Sequence, residues 1–320
     1  MVFRSLIRTL SFARRYFRSE KSKFIWFSAR LFVPLPPGNV QNLNLCSNDM
    51  KRLCVILLAL GLSIGLGAET LQLTFTHPWA GKRIGYIGDS ITDPNVRQGD
   101  MKHYWKWLEE WLGTTTFNYS VSGFTLLNGL GSVDKLHAEH SQEVDAVLVF
   151  LGTNDYNASV PLGEFFSYEE AEVEVATGQP RHMEKRMRRT PVMSRETVKG
   201  RLNLLIAKLK SLYPTKQVVL MTPIHRSYAI FGDNNIQPDE SYPNAAGYYI
   251  HDLVQAVREA GLLWSVPVID LFGVSGLLPS LPEQSQYFMN EERDRLHPNG
   301  AGHERMARTI MQQTLLLPVF

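Results

Sequence analysis

The stretch Arg83-Ile84-Gly85-Tyr86-Ile87-Gly88-Asp89-Ser90-Ile91-Thr92 decides the reading of this chain. Its first half, Arg83 to Ile87, is a short apolar run of the length and composition of a buried parallel strand, and it breaks at Gly88 into a turn that carries a serine. Far downstream, Asp294-Arg295-Leu296-His297-Pro298 places a carboxylate and an imidazole three residues apart. A serine hydroxyl is a weak nucleophile at neutral pH, so acyl transfer needs a histidine to take its proton and a carboxylate to orient that histidine. The short spacing lets one turn of chain hold Asp294 against one ring nitrogen of His297 while the other faces Ser90.

Working outward from that strand, similar apolar runs recur at Thr115 to Val121, Ala146 to Leu151, Gln217 to Met221 and Val266 to Leu271. Helical patterns lie between and after them. The clearest covers Arg195 to Leu212, where Val198, Leu202, Leu205, Ile206 and Leu209 share one face and basic residues fill the other. Others are predicted at Met101 to Leu112, Val133 to His140, Ala246 to Ala260 and Pro298 to Thr314. Five alternations of strand and helix predict a three-layer α/β/α sandwich on a five-stranded parallel sheet.

Three connections exceed the usual two to six residues: Asp155 to Ser194, Thr222 to Asn244, and Phe272 to Arg293. Each follows a strand, so each is expected at the carboxyl edge of the sheet, where ligands bind in open α/β folds. The first carries an acidic run (Glu164, Glu169, Glu170, Glu172, Glu174) and then a basic one (Arg181, Lys185, Arg186, Arg188, Arg189), which suits a solvated hairpin or lid of self-complementary charge.

The same edge gathers the candidate chemistry. Ser90 follows the first strand, Gly123 the second, Asn154 the third, and Asp294 with His297 the fifth. The tetrahedral intermediate of acyl transfer needs donors aimed at its oxyanion. The backbone N–H groups of Ser90 and Gly123 and the side-chain amide of Asn154 supply that set, and a glycine at 123 lets the backbone approach a ligand closely. Asp89, Ile91, Phe124, Asp155 and His225 are candidates for the substrate pocket, and Ile91, Phe124, Leu126 and Leu127 for an apolar acyl channel.

Gly88-Asp89-Ser90-Ile91, Gly123, Gly152-Thr153-Asn154-Asp155 and Asp294-Arg295-Leu296-His297-Pro298 resemble the four blocks of the SGNH, or GDSL, hydrolase superfamily, over about Lys82 to Ala307. The resemblance implies a flavodoxin-like sandwich with Ser90 as nucleophile, His297 as general base and acid, Asp294 as its orienter, and Ser90, Gly123 and Asn154 as the oxyanion hole. Ser120 stands where the second block often has another glycine, which bears on backbone fit rather than catalysis. Resemblance and an export signal together imply a secreted esterase removing small acyl groups, acetyl foremost, from carbohydrate. A lysophospholipase or thioesterase of the same fold, and a non-catalytic carbohydrate-binding or scaffold protein, are the alternatives.

Other readings are disfavoured by the residues themselves. The lipase elbow Gly-x-Ser-x-Gly fails at Thr92, and Gly85-x-x-Gly88 lacks the dinucleotide fingerprint Gly-x-Gly-x-x-Gly. Tyr104, Trp107, Leu108 and Trp111 at helical spacing predict a buried face rather than a sugar platform. His297 beside Pro298 predicts a helix N-cap. No pair of histidines has convincing metal spacing, so neither a metal nor a cofactor is expected.

Met50 to Ala68 has a basic start, an apolar stretch and a small-residue end, the pattern of a secretory signal peptide. Met50 is therefore expected as the true start, with residues 1–49 a mis-assigned or disordered extension and 69–320 an exported or periplasmic hydrolase domain. An uncleaved signal anchor is the alternative, although the apolar stretch of about 15 residues is short against the roughly 20 of a span. Without residues 1–68 the chain holds 23 basic and 29 acidic residues, a net charge of about −6, and neither Cys46 nor Cys54. That balance argues against a nucleic-acid partner, and once the signal is cleaved no stable membrane partner is expected. The expected partner is a small-molecule or polysaccharide ester.

Overall fold

The computed structural model describes residues 76–317 and Val319. The extension 1–49 and the signal peptide 50–68 lie outside the described residues. The chain runs through β1 (Arg83–Gly88), α1 (Tyr104–Leu112), β2 (Thr115–Asn118), α2 (Leu126–His140), β3 (Ala146–Phe150), α3 (Thr153–Asn157), β4 (Phe166–Val175) and β5 (His182–Pro191). It continues through α4 (Val198–Leu212), β6 (Gln217–Met221), β7 (Ala229–Gly232), β8 (Asn235–Gln237), α5 (Ile250–Trp264), β9 (Val268–Ile269), α6 (Leu271–Val274), β10 (Phe288–Asn290), β11 (Asp294–Pro298) and α7 (Gly300–Thr314).

Five strands form the all-parallel sheet in the order β2-β1-β3-β6-β9, the flavodoxin-like winding. All five residues of β3 and of β6 are buried, because helices cover both faces. Alternation along the strands sorts their side chains between two cores. Ile87, Val147, Val149 and Val218 meet α2, α4 and α5, while Ile84, Tyr86, Leu148 and Val219 meet α1 and α7. On α4 the predicted stripe Val198, Leu202, Leu205, Ile206 and Leu209 is buried to the last residue, each such side chain contributing about 1.5–3 kcal/mol of transfer free energy.

Several boundaries differ from the sequence reading, each for a local reason. β2 stops at Asn118, whose Oδ1 accepts from Ser120 N and turns the chain. α2 starts seven residues early, at a capping box in which Thr125 and Asn128 satisfy each other's backbone N–H groups. On α1, Tyr104, Trp105 and Leu108 form the buried face. Trp107 and Trp111 are only half-buried against the same core, so the expected Tyr104-Trp107-Leu108-Trp111 face is rotated.

The three long connections all contain β structure. β4 and β5 pair only with each other, as a hairpin. β7, β8 and β10 from the other two join β11, the strand that follows the third, in a second, antiparallel sheet in the order β10-β11-β7-β8, which the sequence did not announce. Asp294 pairs with Ala229 on one side and Asn290 on the other. Ile230 N donates to Arg293 O (2.7 Å) and Ser227 N to Arg295 O (3.0 Å).

Candidate active site

Ser90 lies in the turn that leaves β1. This turn is tight: a Cβ at Gly88 would come within 2.5 Å of Thr92 Oγ1 and 2.9 Å of Ser120 Oγ. Thr92 and Asp93 each donate their N–H to Asp89 O, at 3.0 and 2.9 Å, winding the segment into one helical turn beneath the serine. Thr92 Oγ1 bonds Tyr104 Oη (3.0 Å), and Thr92 O accepts from Trp105 Nε1 (3.1 Å), so α1 clamps the turn from below.

His297 comes to Ser90 from β11. Its Nε2 lies 2.8 Å from Ser90 Oγ, and its Nδ1 lies 2.9 and 3.2 Å from the two carboxylate oxygens of Asp294. The predicted local pairing of acid and base is observed, with strand rather than helix around it. Asp294 Oδ1 also accepts the backbone N–H groups of Leu296 (3.1 Å) and His297 (3.0 Å), which closes a side-chain turn. His297 does not cap α7; Asn299 does, accepting from Ala301 and Gly302 N. Burial pushes the Asp294 carboxyl up, but the hydrogen bonds from His297 and those two backbone groups outweigh it and hold the acid below its ordinary value. Asp294 therefore stays ionised at neutral pH and selects the tautomer of His297 that carries its proton on Nδ1, leaving Nε2 free to accept from the serine.

The three candidate oxyanion donors are shaped for that task. Gly123 sits at φ +81°, in the left-handed region that glycine enters without strain. Its loop is tied to the serine turn by Val121 N to Gly88 O (3.2 Å) and Ser122 N to Asp93 Oδ2 (2.8 Å). Neither Ser90 N nor Gly123 N has an acceptor among the described residues. Asn154 opens from the first turn of α3, whose N-cap Gly152 needs φ +124°. One of its amide hydrogens is fixed on Phe124 O (2.9 Å), and the second remains for an oxyanion.

The proposed pocket lining divides. Phe124 is half-buried, packed against the edge of one core, with its carbonyl accepting from Asn154. His225 follows β6, half-exposed, with Nδ1 2.7 Å from Glu240 Oε1 and its ring stacked on Phe272 at 3.6 Å between centroids. Asp155 is not available to a substrate: it is fully buried, its Oδ1 2.8 Å from Arg201 and its Oδ2 accepting Leu126 N at the start of α2. Ile91 and Leu126 belong to the two apolar cores and likewise leave the pocket. Asp89 points inward, accepting the Ile91 N–H (3.1 Å), and burial pushes its carboxyl up to about 7.

Two residues beside the site carried no sequence signal. Phe231, on β7, sets its ring edge-to-face against His297 at 5.4 Å between centroids. Arg226 is 2 % exposed and has no ion pair among the described residues, donating to Asn157 Oδ1 on α3 and to Gln237 Oε1 on β8 (2.8 Å). It bolts the second sheet to the helix that carries Asn154. Burial lowers its guanidinium to about 10 against the pull of Tyr156, Glu240 and Asp294, so it remains charged at neutral pH. Behind His297, burial keeps His303 neutral, and its Nδ1 accepts from Tyr104 N (3.3 Å). Among the described residues no group of three or more His, Cys, Asp and Glu is placed to hold a metal ion, and no described helix is long and apolar enough to cross a membrane.

A serine, an imidazole and a half-buried carboxylate in this relation are equipped to hydrolyse an acyl bond through the serine. Residues 86–305 match the model of the GDSL-like Lipase/Acylhydrolase family, and the chain belongs to that family of ester-hydrolysing serine hydrolases. Solved structures agree on the fold. One chain 25% identical covers 76% of this chain and 100% of its own length with a TM-score of 0.58. A protein from Lactobacillus plantarum is 24% identical with a TM-score of 0.55, covering 73% of this chain and 96% of that one. A possible lipase from Chitinophaga pinensis is 21% identical with a TM-score of 0.53, covering 72% and 97%. No curated protein sequence matches.

Proposed function

We propose that the chain is an exported esterase that removes short acyl groups, acetyl foremost, from carbohydrate, with Ser90, His297 and Asp294 as its triad. The observation that carries the mechanism is the unbroken relay from Ser90 Oγ through His297 to Asp294 at 2.8 and 2.9 Å. Ser90 Oγ attacks the acyl carbon as its proton passes to His297 Nε2, and the carbonyl oxygen gathers negative charge facing Ser90 N, Gly123 N and the Asn154 amide. His297 then returns the proton to the leaving alkoxide as the C–O bond breaks. Water repeats the sequence on the acyl-serine, releasing the acid and restoring the Ser90 hydroxyl.

One observation favours a short acyl group. Of the four residues that might line an apolar channel, Ile91 and Leu126 are committed to the cores, which leaves Phe124 and Leu127. The carbohydrate reading and export draw on the signal-like stretch Met50 to Ala68 and on the chemistry of the family. The test is acetate release from a panel of acetylated polysaccharides, with p-nitrophenyl acetate and octanoate beside it. Ser90→Ala is expected to lower the rate by about 10³-fold or more. A clear preference for octanoate sinks the acetylesterase reading; Ser90→Ala hydrolysing at the wild-type rate sinks the mechanism, and a wild type without esterase activity leaves a non-catalytic binding protein.

A further inference from the structure

Phe231 is an aromatic residue that the apolar cores do not claim. It is 46% exposed, and the strand is anchored just before it: Ala229 is fully buried and pairs with Asp294, and Ile230 N is bonded to Arg293 O, while at Phe231 itself the β7–β8 register shifts. Gly232, at φ +151°, then turns the chain towards β8. The half-exposed ring thus stands beside the imidazole of His297, 5.4 Å between centroids.

The chemistry of the reaction says what occupies that place. The proton that His297 takes from Ser90 must go to the alkoxide, so the alcohol half of the ester leaves from beside His297 Nε2. The acyl oxygen lies towards Ser90, Gly123 and Asn154, which come from the loops after β1, β2 and β3. Phe231 is brought in by the second sheet together with His297, the residue that hands the proton to the departing alcohol.

We propose that Phe231 forms the alcohol subsite, packing its exposed ring against the alcohol half and selecting esters whose alcohol presents a ring, such as the CH-lined face of a sugar. The subsite rests on the esterase mechanism above but not on the carbohydrate reading. An aromatic surface meets any saturated ring through the same dispersion and apolar contact. A short linear alcohol reaches His297 without covering Phe231 and forgoes that contact.

The test compares kcat/KM for cyclohexyl acetate and methyl acetate, which share an acyl group and contain no sugar. Wild type is expected to prefer cyclohexyl acetate, and Phe231→Ala to reduce the cyclohexyl-to-methyl ratio about tenfold, with Phe231→Trp restoring most of it. The acetate-to-butyrate ratio for methyl esters should move less than twofold. A merely structural role for Phe231, holding His297 in place, would lower both acetates equally and shift the pH profile with them. That outcome overturns the proposal, as does a wild type indifferent to the alcohol or a Phe231→Ala variant whose acyl preference changes instead. Failure on sugar acetates with the cyclohexyl preference intact removes the carbohydrate reading and leaves the subsite standing.

Discussion

Two antiparallel additions decorate the same parallel sheet, and they are built on opposite physics. The β4–β5 hairpin pairs ten residues with ten, most of them exposed, and charges meet across it, as Lys185 and Glu170 do diagonally at 3.0 Å. The sheet formed by β10, β11, β7 and β8 has strands of three to five residues, yet it holds His297 and Asp294, stands Phe231 beside them and is pinned by a buried arginine. Pairing length is therefore a poor guide to importance. Exposed ion pairs in water contribute little, whereas a short strand whose side chains are enclosed has few alternative positions.

Substitutions at both places turn that contrast into measurements. The largest effect is expected at Asp294→Asn, which keeps the shape of the side chain but releases the tautomer of His297: kcat should fall about 10³- to 10⁴-fold. Because the fold depresses the Asp294 pKa, its ionised form stabilises the native state. That contribution is present at neutral pH and is lost as pH falls below the usual carboxylate range and through the depressed value. The wild type should therefore show a steeper loss of stability in acid than Asp294→Asn in denaturant titrations; equal slopes would mean that Asp294 is not held ionised by its partners. Next comes Arg226→Ala, which leaves Asn157 Oδ1 and Gln237 Oε1 without their donor and opens a cavity, at an expected cost of about 2–4 kcal/mol in urea unfolding. Arg226→Met, which fills the space without the charge, should lose less. The smallest effect belongs to the hairpin: Glu170→Gln breaks an exposed pair and should change stability by less than about 0.5 kcal/mol. A larger shift in calorimetric melting would show the ribbon to be as important as the second sheet.

The parts of the molecule that the sequence disclosed are those whose signal is local and continuous. β1 and its serine turn are one uninterrupted run, and Asp294 and His297 meet because three residues separate them. The helix stripe of α4 needed only the 3.6-residue period. What escaped notice depends on contacts made across long stretches of chain. Asn235–Gln237 is a strand only because β7 lies beside it, and Glu240 gains meaning only from its bond to His225, 15 residues away. Asp155 adjoins Asn154 in sequence, but one helical step of about 100° turns it inward to Arg201 and out of the expected pocket. His297 was read as a cap because proline follows it; Asn299, with a side chain able to accept two N–H groups, is the stronger cap and displaces the helix by two residues.

The turn in which Asp294 accepts the N–H groups of Leu296 and His297 gives the site a hierarchy of durability. Acid and base are joined within three residues and share backbone bonds, so they form a cassette that travels together. Ser90 and His297 stand 207 residues apart in the chain and are aligned only by the sheets that carry them. On warming, the first registry to slip is between nucleophile and cassette. The enzyme should thus fall silent by misalignment, with its acid and base still engaged, before it unfolds.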